Sequence, residues 1–111
     1  FRGGGESPDF TPVELFLTAM AGCSAIDVDF ITSRIAEPVR FDVTSEGEKM
    51  RDGVENHLGD IEITFTVRFP EGAEGDRARE RLPKAIAQSR DRLCTVSRTV
   101  QRGADVHMRE G

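Results

Sequence analysis

From Pro12 to Ile31 the chain is apolar on almost every face of a helix, so this segment needs cover on several sides rather than along one stripe. Thr11-Pro12-Val13-Glu14 reads as a capping box. The Thr11 hydroxyl can accept from the third helical amide, Pro12 suits the first helical position, and Glu14 can reach back to the amide of Thr11. A helix is therefore predicted to start at Pro12 and to end near Ser33 to Ala36, ahead of Pro38. Its nearly charge-free run, Leu15 to Ile26, is about 12 residues. That is short of the roughly 20 a bilayer span requires, so the expectation is a buried core helix and no membrane partner.

Arg40 to Met50 reads as a strand, and Asp52-Gly53 supplies a turn into the next. Ile61, Ile63, Phe65, Val67 and Phe69 then alternate with Glu62, Thr64, Thr66 and Arg68, which gives a strand with one buried face and one wet face. The short connection makes the two strands antiparallel neighbours. From Asp76 the residues Ala78, Leu82, Ala85, Ile86, Ser89 and Leu93 recur at helical spacing, with Pro83 expected to mark a kink or a late start. Cys94 to Gln101 forms a further helical stretch that Gly103 can cap, and Ala104 to Met108 reads as a short strand. The expectation is one α+β domain over residues 1–111, in the order helix, strand, strand, helix, helix, strand.

Twenty acidic against 15 basic residues give a net charge of −5, which argues against a nucleic-acid partner. The basic residues between Arg77 and Arg102 are interrupted by Glu80 and Asp91 and read as a solvated helix face. Phe1-Arg-Gly-Gly-Gly-Glu-Ser-Pro8 reads as a loop, and Gly3-Gly4-Gly5 lacks the Lys-Ser/Thr of a phosphate loop. With 2 cysteines there is no disulfide scaffold, so a cytoplasmic location is expected, with the thiols reduced or cycling. His57 and His107 are isolated, their spacing to the cysteines is not that of a zinc motif, and no metal is expected.

Cys23 lies amid Ala-Gly-Cys-Ser-Ala, where backbones can approach closely, and is either a small packing residue or a thiol at the floor of a pocket. Cys94, in Leu-Cys-Thr-Val-Ser97, begins a helical stretch whose amides and dipole can stabilise a thiolate. Cys23, inside a helix, has no such help. Asp27 follows it by one turn on the same side, and an anion there disfavours the thiolate unless a cation pairs with it. Structural pairing or an interface hydrogen bond is the expected role of Asp27.

The segment Thr-Pro-Val-Glu-Leu-Phe-Leu-Thr-Ala-Met-Ala-Gly-Cys23-Ser-Ala-Ile-Asp-Val, followed about 70 residues on by Leu-Cys94-Thr-Val-Ser97, resembles the OsmC/Ohr family of osmotically inducible and organic-hydroperoxide-resistance proteins, the OsmC-like branch in particular. The resemblance implies an α+β, OsmC-like fold. Two central cysteine-bearing helices would pack on an antiparallel sheet within an intertwined homodimer. It also implies a thiol-dependent peroxidase for organic hydroperoxides, with Cys23 peroxidatic, Cys94 resolving, no bound cofactor and an external dithiol reductant.

Such an enzyme needs a thiolate that attacks a hydroperoxide to give a sulfenic acid and an alcohol, and a second thiol that condenses with the sulfenic acid to a disulfide. Family members begin with a β region that supplies an activating Arg, and the resemblance implies that this chain lacks that region. Arg2 cannot be assigned by motif, and Arg92 and Arg98 are the local candidates beside Cys94. The Ohr type carries a Glu directly after the Pro, where this chain has Val13. Glu14, rotated by about 900° and displaced by roughly 13.5 Å from Cys23, faces the opposite side and is expected to serve as a cap. Ser24 and Ser97 can hydrogen-bond near the thiols. The alternatives are a non-catalytic OsmC-like dimer that binds a small apolar ligand at its interface, or two structural cysteines.

Overall fold

The computed structural model describes residues 10–111. The N-terminal loop, Arg2 and Gly3-Gly4-Gly5 lie outside the described residues. The chain runs α1 (Pro12–Ser33), β1 (Arg40–Asp52), β2 (Glu55–Arg68), α2 (Ala73–Gln88), a single π-helical turn over Ser89–Leu93, and α3 (Thr95–Arg102). The class is α+β, as expected.

Helix α1 begins at Pro12 with both arms of the capping box made. The Glu14 amide donates to Thr11 Oγ1 and the Thr11 amide to Glu14 Oε1, each at 3.2 Å. The helix extends for 22 residues, long and apolar enough by length and composition to cross a bilayer. Here, however, it packs against β1, α2 and α3. Met20, Ala21, Ser24, Val28 and Thr32 are buried on that side, while Phe10 beyond its N-terminus and Ile26 and Phe30 on the helix stay 57 %, 72 % and 60 % exposed.

Strands β1 and β2 form a two-stranded antiparallel hairpin closed by Gly53 and Val54, with Gly53 at φ 61°, where a type II′ turn takes glycine. Phe41 pairs with Val67 and Val43 with Phe65, so the alternation in the sequence becomes one apolar face. A bulge between Gly47 and Lys49 shifts the register before the tip. The Ser45 hydroxyl donates to the Leu17 carbonyl at 2.6 Å and ties the middle of β1 to α1. The fully formed core lies at the open end of the hairpin. There Ala36, Val67, Phe69 and Ala78 are buried against Ile35, Phe41, Phe65 and Leu82. Gly75 in the first turn of α2 is required by this junction, because a Cβ would fall 1.7 Å from the Pro70 carbonyl oxygen.

Two expectations are corrected. Helix α2 starts at Ala73 and carries Pro83 within it, so the proline does not delay the start. Its first-turn residues Ala73, Glu74 and Asp76 supply the N-terminus, and the α-helical part stops at Gln88 rather than Leu93. Residues 104–111 are irregular and exposed, not a strand: the segment pairs with neither outer edge of the hairpin, and strand composition without a ladder partner does not hold an extended strand. The radius of gyration is 17.1 Å, against about 13 Å for a compact chain of this length. The long hairpin accounts for the elongation, since 13 extended residues reach roughly 43 Å.

Candidate functional site

The site forms where the middle of α1 meets the junction of α2 and α3. Cys23 and Asp27 project from one side of α1, one turn apart. Cys94 reaches them because the chain widens after Gln88. The Cys94 amide donates to the Ser89 carbonyl at 2.9 Å, closing a π turn, and Cys94 then takes an extended backbone (φ −76°, ψ 103°) as the N-cap of α3. Gln101 braces this bend, its amide donating both to the Arg90 carbonyl at 2.9 Å and to Ser97 Oγ at 2.8 Å.

The result is a cluster of Cys23 Sγ, Cys94 Sγ and an Asp27 carboxylate oxygen, all within 4.8 Å of one another. Both cysteines are free thiols. Cys94 is fully buried and Cys23 half-buried. The first turn of α3 faces the sulfurs: the Ser97 amide donates to Cys94 Sγ at 3.4 Å, and the Val96 amide acts to lower the Cys23 pKa. Asp27 is held from across the junction, with Ser89 Oγ donating to Asp27 Oδ2 at 2.9 Å.

Electrostatics do not favour ionisation of Cys23. Burial pushes its pKa up first; the hydrogen bond with Cys94 and the negative fields of Cys94 and Asp27 add to this, while the Val96 amide works the other way. Neither Arg92 nor Arg98 enters that balance. Arg92 is exposed, and Arg98 donates to Gln101 Oε1 at 2.9 Å and exerts its field on Asp91.

A profile of the OsmC-like protein family matches residues 3–109. The chain belongs to the OsmC-like family. No functionally curated protein matches it. Among solved structures, a structural-genomics protein is 27 % identical, with a TM-score of 0.69 over 91 % of this chain and 72 % of its own. A hypothetical protein from Aquifex aeolicus VF5 is 22 % identical, with a TM-score of 0.69 over 89 % of this chain and 70 % of its own. An OsmC-like hydroperoxide resistance protein from Jannaschia sp. CCS1 is 18 % identical, with a TM-score of 0.64 over 100 % of this chain and 71 % of its own. The last two establish a shared fold.

In this OsmC-like chain Glu14 serves as the cap of α1, as its spacing implied, and accepting from the Thr11 amide holds its carboxyl below the usual range. Val13 instead lines a cleft of about 410 Å³ near the hairpin tip, with Lys49, Met50 and His57 among its neighbours. His57 pairs at 3.5 Å with exposed Glu55 and lies apart from the thiols. A second cleft, of about 630 Å³, runs between the apolar face of β2 and the helices, lined by Ile61, Ile63, Ile86 and Val100 with Arg90 at its edge. It reaches Ser24 and Ser97, both buried, but neither cleft has Cys23 or Cys94 in its wall. The pocket expected around Cys23 is thus not one of these two clefts.

Ser89 and the Val96 amide are the participants the sequence reading missed. A signal existed for Ser89: it interrupts the apolar stripe of α2 with a hydroxyl, and a buried hydroxyl needs a partner. The influence of Val96 on Cys23 comes from its backbone and leaves no mark in residue identity.

Proposed function

We propose that the chain is a thiol-dependent peroxidase that reduces organic hydroperoxides, with Cys23 attacking and Cys94 resolving. The observation that carries this reading is a pair of sulfurs within 4.8 Å, one accessible and the other fully buried. The half-exposed thiol meets the peroxide; the buried one meets only its neighbour. Membership of the OsmC-like family and a fold shared with a hydroperoxide resistance protein support the assignment.

In the first step Cys23 thiolate attacks one oxygen of ROOH and the O–O bond breaks. Cys23 becomes a sulfenic acid and RO⁻ takes a proton to leave as alcohol. Cys94 sulfur then attacks the sulfenic sulfur and hydroxide leaves as water with the Cys94 proton, which closes a Cys23–Cys94 disulfide. An external dithiol returns both sulfurs to thiols and is itself oxidised to a disulfide. The reaction needs no bound cofactor, and reduced resting thiols suit the cytoplasm.

The apolar surface left on Phe10, Leu15, Phe16, Ile26 and Phe30 supports a homodimer built on α1. A second subunit would also complete walls around Cys23 that favour a hydrocarbon tail, each buried methylene contributing about 0.8 kcal/mol. The raised pKa of Cys23 and the Val13 position favour a second reading, a dimer that binds a small apolar ligand without turnover. Consumption of cumene hydroperoxide by the pure protein with dithiothreitol separates them. Steady turnover is expected, faster than with hydrogen peroxide; a protein inert toward every hydroperoxide removes the peroxidase reading and favours the binding one.

A further inference from the structure

We infer that Cys23 Sγ, Cys94 Sγ and the Asp27 carboxylate form a binding site for a thiophilic divalent cation of the Zn²⁺ type, contrary to the expectation from spacing. Three donors from two separate parts of the chain lie within 4.8 Å of one another. A tetrahedral ion with bonds of about 2.3 Å to sulfur and 2.0 Å to oxygen needs donors roughly 3.5 to 3.8 Å apart. Side-chain rotation of about 1 Å closes that gap. Two thiolates and a carboxylate are a donor set that zinc accepts, and three protein ligands leave a fourth position for water or a small ligand on the half-exposed Cys23 side.

The surroundings are those of a prepared site. Ser89 Oγ donates to Asp27 Oδ2 at 2.9 Å, which orients the carboxylate and leaves its other oxygen available. The Ser97 amide donates to Cys94 Sγ at 3.4 Å, so that sulfur keeps a hydrogen bond when it also binds a metal. The cluster pairs one carboxylate with two thiols that lose their protons on binding a metal, so its donors match the charge of a divalent cation. Binding displaces two thiol protons to solvent and transfers no electrons. An occupied site holds both sulfurs and blocks their oxidation.

The binding inference stands independently of peroxidase activity, since it requires only the geometry. The test is titration of the reduced, chelator-treated chain with Co²⁺, reading the thiolate-to-cobalt charge-transfer band, followed by displacement with Zn²⁺. One Co²⁺ per chain with a two-thiolate band is expected. Cys23→Ser and Cys94→Ser should each weaken binding at least tenfold and halve the band, and Asp27→Asn should weaken it about tenfold with the band retained. Circular dichroism checks that each variant folds. If one does not, wild-type protein with both thiols blocked by N-ethylmaleimide replaces it and should not bind. No charge-transfer band in the wild type, a band unchanged by either cysteine substitution, or Asp27→Asn binding as tightly as wild type would overturn the site. Hydroperoxide consumption by the metal-free protein is followed separately. Metal binding without turnover leaves this site standing and removes the peroxidase, and turnover without the band does the reverse.

Discussion

Cys23 and Cys94 are neighbours in space and opposites in setting. Cys23 sits inside a 22-residue helix, half-exposed, and its thiol form is favoured by burial, by Cys94 and by Asp27. Cys94 sits at the N-cap of α3, fully buried, with its sulfur accepting from the Ser97 amide. A sulfur at an N-cap is part of the scaffold, because it satisfies an amide that the helix leaves unpaired. A sulfur on the side of a continuous helix satisfies nothing the helix requires. Access and structural duty are therefore divided between the two thiols, and that division suits an attacking group and a resolving group.

The largest test of the contrast is activity. Cys23→Ser should reduce hydroperoxide turnover to background, while Cys94→Ser should allow one equivalent of peroxide to be consumed and then stall at a sulfenic acid or an intermolecular disulfide. Dimedone trapping with mass spectrometry distinguishes the two. Equal initial loss in both variants would break the assignment of roles.

Next comes pH. Because the folded pKa of Cys23 is raised, its thiolate fraction at neutral pH is lower than that of a free cysteine and grows about tenfold per pH unit until the pKa is passed. Iodoacetamide alkylation of Cys23 in metal-free Cys94→Ser protein should therefore still be rising above pH 9. Asp27→Asn, which removes one of the raising influences, should speed it severalfold at a given pH. A plateau below pH 8 would show that a cation lowers the pKa in solution.

Stability should show the reverse asymmetry. Cys94→Ala removes a buried group and a cap and should cost about 1–2 kcal/mol in urea unfolding. Cys23→Ala, on a half-exposed helix side, should stay within about 0.5 kcal/mol. If Cys23→Ala is the costlier change, the packing role belongs to Cys23. Ser89→Ala should fall between the two cysteine substitutions. It leaves Asp27 without its hydroxyl partner and should cost about 1 kcal/mol, accompanied by a small change in the alkylation rate of Cys23.

Much of the local structure was legible in the chain itself. Thr11, Pro12 and Glu14 specify the start of α1 because capping chemistry acts within four residues. Asp52-Gly53 and the alternation from Ile61 to Phe69 specify the hairpin because a pleated strand presents every second side chain to one face. The motifs around Cys23 and Cys94 carried the family resemblance. The failures fall where a partner distant in sequence decides. Ala104 to Met108 has the composition of a strand, yet its ladder depends on another edge. Ser89 has the spacing of a helix residue, yet its carbonyl accepts from Cys94 and its hydroxyl donates to Asp27, 62 residues away.

By itself, then, the sequence determined the elements, the capped apolar helix and the identity of the two thiols, since these follow from residue type and short-range period. Only the tertiary structure decided that a π turn after Gln88 brings Cys94 beside Cys23 and Asp27, that one sulfur is buried while the other is partly accessible, and that Ser97 directs its amide at Cys94. Those facts depend on how α1 packs against the α2–α3 junction, and packing between segments some 70 residues apart has no period or spacing in the chain to announce it.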